Sequence, residues 1–240
     1  MPAARSCFIM ISRTGSFLLL MVACFTAHAG VMVGGTRFVF HENSKVLSIP
    51  IRNPDAQNYL IKSRVLLPQL WIKGSSAALA NDFFIITPPL FRLDAGKENI
   101  IRIIRGPNSL PTDRESLFEF SVAAIPSVKE KPNSVSLAIR SRYKLFYRPE
   151  NLSGDVKSAW SALRWRQQGS EIIASNPGPW FVTLATLEVN GTSVDAPGMI
   201  PPFGEMTYVA CQSAAVCHIR WQSLDDYGQL TPFAAANLSR

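Results

Sequence analysis

From Thr36 to Tyr147 the chain is written in short runs rich in Val, Ile, Phe and Tyr, most of them bounded by Gly, Pro, Asn or Asp. Such runs read as β-strands, and the bounding residues as turns. The predicted strands are Thr36–Phe40, Val46–Arg52, Tyr59–Leu67, Phe83–Thr87, Ile100–Ile104, Phe118–Ala124 and Val135–Tyr147. Helical periodicity of any length is absent, although Gly74–Asn81 could form one turn. Seven strands closed by turn signals predict an immunoglobulin-like sandwich. Arg148-Pro149-Glu150-Asn151 then breaks the pattern, because proline cannot donate to a ladder and a polar, glycine-containing stretch follows. A second series runs over Ala162–Arg166, Ser170–Ser175, Trp180–Val189, Glu205–Val209, Val216–Trp221 and Leu230–Ala234. It predicts a second, smaller sandwich. The fold class is therefore all-β, with one unit at 30–149 and another at 150–240.

The last strand of the first series, SLAIRSRYKLFYRP (Ser136–Pro149), shows the clearest two-sided pattern. Leu137, Ile139, Tyr143, Leu145 and Tyr147 fall on one face, and Arg140, Arg142, Lys144 and Arg148 on the other. A strand with one face on its own core and one in water has this pattern. So does a strand that gives its apolar row to another protein.

The N-terminus changes the picture. Arg5 and Arg13 precede the uncharged run FLLLMVACF (Phe17–Phe25), and Ala27-His28-Ala29 follows. A basic start, a short apolar segment and a small-x-small end predict a secretory signal peptide over 1–29, cleaved after Ala29. The run is far shorter than the roughly 20 residues a bilayer-spanning helix needs, so membrane insertion is not expected. Cleavage would lower the formal net charge of +7 by two, a moderate basic excess suited to an acidic partner. Aromatic and basic residues do not interleave as nucleic-acid binding would require. Cys7 and Cys24 would leave with the signal, and Cys211 and Cys217 remain. An even pair in an oxidising compartment predicts a local disulfide, whereas a metal site would need two further soft ligands.

Catalytic chemistry has little to build on. Outside the signal, His41 and His218 lie in no nucleophile motif. The adjacent acids Asp225 and Asp226, read as strand residues, would point to opposite faces and could not share a proton. No Gly-rich phosphate loop or metal cluster is present in the sequence, so no cofactor is expected and binding is favoured over catalysis.

Several segments, taken in order, resemble the periplasmic chaperones of the chaperone–usher pilus pathway. They are GTRFVF (Gly35–Phe40), TPPLFRLDAGKENIIRI (Thr87–Ile103), LPTDRESLFEFSVAAIP (Leu110–Pro126), SRYKLFYRP (Ser141–Pro149) and LDDYGQLTP (Leu224–Pro232). The resemblance implies two immunoglobulin-like domains set in an L, located in the periplasm. Its partners would be pilus subunits, which lack their last strand, and an outer-membrane usher that takes them over. Strand donation by pilus chaperones is an established case of β-strand addition to a sheet edge.

By the same resemblance Val135, Leu137 and Ile139 are the donor residues, and Arg37 and Lys144 hold the subunit's terminal carboxylate. Glu115, Arg148 and Asp226 form a network between the domains, expected to set geometry rather than stability if it is exposed. Strict alternation puts Lys144 on the face opposite Leu137 and Ile139, so a bulge, a twist or a partner that reaches around the strand is needed. The short Pro126–Asn133 loop and a first domain without cysteine resemble the short-loop branch. Arg64 stands where the family often has Trp, which puts the packing there in question. The free protein is expected to cover its donor row by self-association or with the Pro126–Asn133 loop. The competing reading, an exported structural or adhesive immunoglobulin-like surface protein, would require a missing strand and a disordered N-terminal donor segment.

Overall fold

The computed structural model describes residues 30–68, 78–127, 135–209, 211 and 216–239. The predicted signal segment, residues 128–133 of the Pro126–Asn133 loop and residues 74–77 of the predicted helical turn lie outside them. The rest of that turn holds an isolated bridge between Leu66 and Leu79 instead.

The first unit is two facing sheets. One has the order β1 (Met32–Val33), β3 (Val46–Arg52), β7 (Glu98–Arg105), β5 (Phe84–Thr87), all antiparallel. The other has the order β2 (Arg37–His41), β9 (Ile139–Arg148), β8 (Ser116–Pro126), β4 (Tyr59–Leu66), β6 (Leu90–Leu93). The chain thus starts in one sheet as β1 and crosses to the other as β2, which pairs parallel to β9. Alternating residues of both sheets fill the space between them: Ile49, Ile51, Ile101 and Ile103 from one, Phe40, Ile61, Phe120 and Leu145 from the other. Edge-on aromatic pairs Phe40–Phe84 and Phe84–Phe118 join these layers, and Phe38–Phe120 pairs within the second sheet. Arg64 is exposed on the outer face of β4 while Ser63 and Val65 are buried, so the missing aromatic leaves no hole in this core.

The second unit pairs β10 (Arg164–Gln168), β11 (Glu171–Ser175) and β15 (Glu205–Val209) in one sheet. Its other sheet has the order β13 (Thr192–Ser193), β12 (Val182–Val189), β16 (Val216–Leu224), β17 (Ala234–Ser239), with β14 (Met199–Ile200) also on β12. Its core holds Ile172, Leu187, Ile200, Ile219 and Trp221. A 3-10 turn at Ala159–Ala162 precedes β10, and its Trp160 carbonyl accepts from the Trp221 indole at 2.9 Å. Among the described residues no helix is long and apolar enough to cross a membrane.

The last strand departs from expectation. Leu230 makes a single bridge to Leu224, and the strand proper begins at Ala234. Its Ala-Ala-Ala-Asn sequence has little β-propensity, and pairing with β16 from Val216↔Ser239 to Trp221↔Ala234 defines it.

Candidate functional site

The site is built on β9. Antiparallel pairing with β8 covers one edge of it from Ile139 to Tyr147. On the other edge β2 pairs only with Lys144 to Arg148. Ile139 to Tyr143 therefore belong to an edge that β2 does not reach, and residues 135–138 lead into it without pairing to any described strand. Val135, Leu137 and Ile139 are 88%, 76% and 65% exposed, so they are not core residues of their own sandwich. Together with Met32, Tyr59 and Val122 they border a groove of about 490 Å³ at the open end of the sandwich.

The β8–β9 register runs without interruption from Ser116↔Tyr147 to Ala124↔Ile139. No bulge intervenes, and Lys144 does lie on the face opposite the Val135–Leu137–Ile139 row. That face carries Arg140, Arg142, Lys144 and Phe146 in turn. It passes from solvent into the space between the two units, where Phe146 and Leu117 pack on Phe181 and Met199.

Lys144 and Arg37 are register partners across the parallel β2–β9 pair, which brings the two cations side by side. Arg37 Nη1 donates to the carbonyls of Leu224 and Asp225 at 3.0 and 2.7 Å, and Nη2 to Thr183 Oγ1 at 3.1 Å. Its guanidinium lies 4.9 Å over the Phe146 ring. Arg37 Nε is buried and has no acceptor among the described residues. Burial lowers the Arg37 pKa, against the pull of Asp226, Glu115 and Asp225. Lys144 is half-buried, and that burial together with the Arg37 charge brings its amine down to about 8.

Glu115, Arg148 and Asp226 meet at the junction of the units. Arg148 donates to Glu115 Oε1 through Nε at 2.7 Å, and to both Asp226 oxygens at 2.7 and 2.8 Å. Glu115 Oε2 accepts from the Phe181 backbone at 2.8 Å. The Arg148 and Glu115 side chains are 10% and 2% exposed and Asp226 is 32% exposed, so the Arg148–Glu115 half of the network is buried and the Asp226 half is partly solvated. Burial raises the Glu115 pKa, opposed by Arg148 and the Phe181 N–H. Burial also pushes Asp226 up, but the bidentate Arg148 with Arg37 and His41 outweighs it, leaving the pKa lowered. Asp225 and Asp226 sit in the turn after β16 rather than in a strand. Asp225 accepts from the Tyr227 and Gln229 backbones at 2.9 and 2.8 Å, whereas Asp226 reaches Arg148. Gly228 in this turn has φ +80°, and a Cβ there would lie 2.8 Å from Thr36 Oγ1 of the first unit.

Sequence reasoning missed Phe146, Phe181 and Thr183. Phe146 carried a signal, being the aromatic that interrupts the row of cations. Thr183 carried none, since its partner is an arginine remote in sequence. Cys211 and Cys217 are joined in a disulfide with both residues buried. Among the described residues no group of three or more His, Cys, Asp or Glu is placed to hold a metal.

Comparison with known proteins agrees with this architecture. Residues 30–153 match the pili and flagellar-assembly chaperone, PapD N-terminal domain, and residues 158–235 match the pili assembly chaperone PapD, C-terminal domain. The chain belongs to this family of pilus-assembly chaperones. It is 37% identical over 230 residues to the chaperone protein FimC of Escherichia coli K12, covering 94% of this chain and 91% of that one. It is 36% identical over 222 residues to the uncharacterized fimbrial chaperone YcbF of the same organism, covering 92% and 94%. A structure of the Salmonella enterica SafA pilin in complex with the SafB chaperone is similar at TM-score 0.75 and 28% identity, covering 86% of this chain and 95% of that one.

Proposed function

We propose that the protein is a periplasmic, non-enzymatic chaperone that holds a pilus subunit by lending it β9 and passes it to an outer-membrane usher. The observation that carries this reading is the β9 edge at Ile139–Tyr143, which β2 does not cover and which adjoins exposed Val135 and Leu137. An incomplete sandwich can add this edge as a strand, with backbone hydrogen bonds giving affinity and alternate side chains filling its groove. Each of the three apolar side chains would contribute about 1.5–3 kcal/mol on burial, before association costs. Arg37 and Lys144 would clamp the subunit's terminal carboxylate on the opposite face. The strand is approachable from its open edge, so a partner chain can lie along the edge and end between the cations. The two functional units are taken to divide at residues 149 and 150, with Arg148, Glu115 and Asp226 holding their relative position. A signal segment over residues 1–29 supports export to the periplasm. The free protein, whose apolar row is exposed among the described residues, is expected to self-associate or to cover the row with the Pro126–Asn133 loop, and sedimentation with and without subunit would tell the two apart.

Leu137→Asp tests the strand-donation reading. The side chain is exposed in the free protein, so the melting temperature should change little, while pilus subunits should no longer co-purify from periplasm. Undiminished co-purification would refute donation through this row.

A further inference from the structure

Beside Lys144, on the side of the second unit, a pocket of about 600 Å³ opens. One wall is β12, whose pairing with β16 slips between Leu184 and Thr186, leaving Ala185 out of the ladder. Such a bulge re-aims side chains locally. The opposite wall is the turn through residues 193–198, in which Ala196 and Gly198 adopt positive φ of 45° and 82°. That turn is fastened by the Tyr208 hydroxyl donating to the Pro197 carbonyl at 2.8 Å and by the Leu184 N–H donating to the Gly198 carbonyl at 3.0 Å. Thr183, which receives Arg37, also lines the pocket. The cavity therefore adjoins Lys144, and the backbone of its turn wall is tied in place.

Its chemistry is selective. Val194 and Met206 supply apolar surface above the buried Leu184 and Met199, Lys144 also lines the pocket, and Asp195 contributes a carboxylate on the exposed turn. An acidic side chain entering here meets Asp195, and Lys144 is already engaged by the terminal carboxylate. We infer that this pocket receives the side chain of the last residue of the bound polypeptide and selects bulky apolar ones, aliphatic or aromatic, over small or acidic ones. The inference rests on Lys144 as carboxylate anchor: a carboxylate oxygen lies only roughly 2.4 Å from its own Cα, so the terminal side chain starts at the pocket mouth. Met206, a partly exposed methionine in the lining, adapts to different apolar shapes, so selection is by class of side chain rather than by one identity.

The test uses fluorescence anisotropy with synthetic extended peptides of alternating apolar and polar residues, identical except that they end in Tyr, Leu, Gly or Glu. Each is made as the free acid and as the amide, and titrated against the full mature chain, Asp195→Lys and Ala185→Phe. Peptides ending in Tyr or Leu should bind roughly 10- to 100-fold tighter than those ending in Gly or Glu. Asp195→Lys, on an exposed turn, should selectively improve the Glu-ended peptide. Ala185→Phe should bring the Tyr and Gly affinities together by filling the space. Should Ala185→Phe melt early, the wild-type panel and Asp195→Lys decide alone. Equal binding of all four acids, with weaker amides, would overturn the pocket while leaving the anchor standing. Amides that bind as well as acids would overturn the anchor and the pocket with it.

Discussion

Removing Arg148 should be the most damaging single change at the junction of the two units. In Arg148→Ala the Glu115 carboxylate, 2% exposed, loses its charged partner at 2.7 Å and keeps only the Phe181 N–H. Asp226 is one-third exposed, so water compensates most of its loss and it adds little. The cost is dominated by one orphaned buried carboxylate, about 3–5 kcal/mol. The pair's own net contribution is smaller than that, because desolvating both charges offsets much of their attraction. Neutralising the orphan should therefore rescue the fold: Arg148→Met with Glu115→Gln should recover more than half of the loss. Urea denaturation followed by tryptophan fluorescence reads this directly, since Trp180 lies 5.2 Å from the Arg148 guanidinium. An Arg148→Ala protein within about 1 kcal/mol of wild type, or a double variant no more stable than the single, would refute the reasoning.

Carboxylate capture should weaken above pH about 8, where the Lys144 amine loses its proton, and affinity measured from pH 6 to 10 should fall through that region. The sign follows from a lowered amine pKa: capture is strongest below it and weaker above it, where Arg37 alone stays charged, and a bound carboxylate moves the midpoint upward. Breaking the disulfide with Cys211→Ser and Cys217→Ser should cost about 2 kcal/mol, given the sequence separation of 6, and lower the melting temperature of the second unit without abolishing subunit binding.

How much of this could be read in advance differs by element. The long strands were legible because β-branched and aromatic residues recur between turn formers, and β3 and β4 lie close to their expected bounds. β9 starts at Ile139 rather than Val135, because residues 135–138 have no described strand to pair with. β6 was not legible, since Leu90–Leu93 follows two prolines that read as punctuation. β1 is two residues long and exists only through its pairing with β3. The Val135–Leu137–Ile139 row was legible as alternation, but alternation alone could not tell an exposed row from a buried one. Exposure follows from where β2 begins, at Arg37 opposite Lys144, a tertiary fact. The cation pair was visible only through resemblance. Its neighbours in the second unit, Thr183 and the Leu224 and Asp225 carbonyls, carry no local pattern because the backbone supplies two of the three contacts. Those contacts also separate the two cations in consequence: Arg37 binds the second unit as well as facing the cleft, so its loss disturbs domain packing. Lys144 is the cleaner probe.

The central claim is that a subunit is held on β9 with its terminal carboxylate at Lys144. The direct measurement is the amount of pilus subunit co-purifying with Lys144→Ala from periplasm, alongside Arg140→Ala and thermal melts of both. Losing one partner of a partly buried charge pair costs about 2–5 kcal/mol, roughly 30- to several-thousand-fold in affinity. The account predicts that Lys144→Ala folds normally and brings down no subunit, while Arg140→Ala, exposed on the same strand, retains it. Full subunit recovery with Lys144→Ala, or loss that accompanies unfolding, would contradict it.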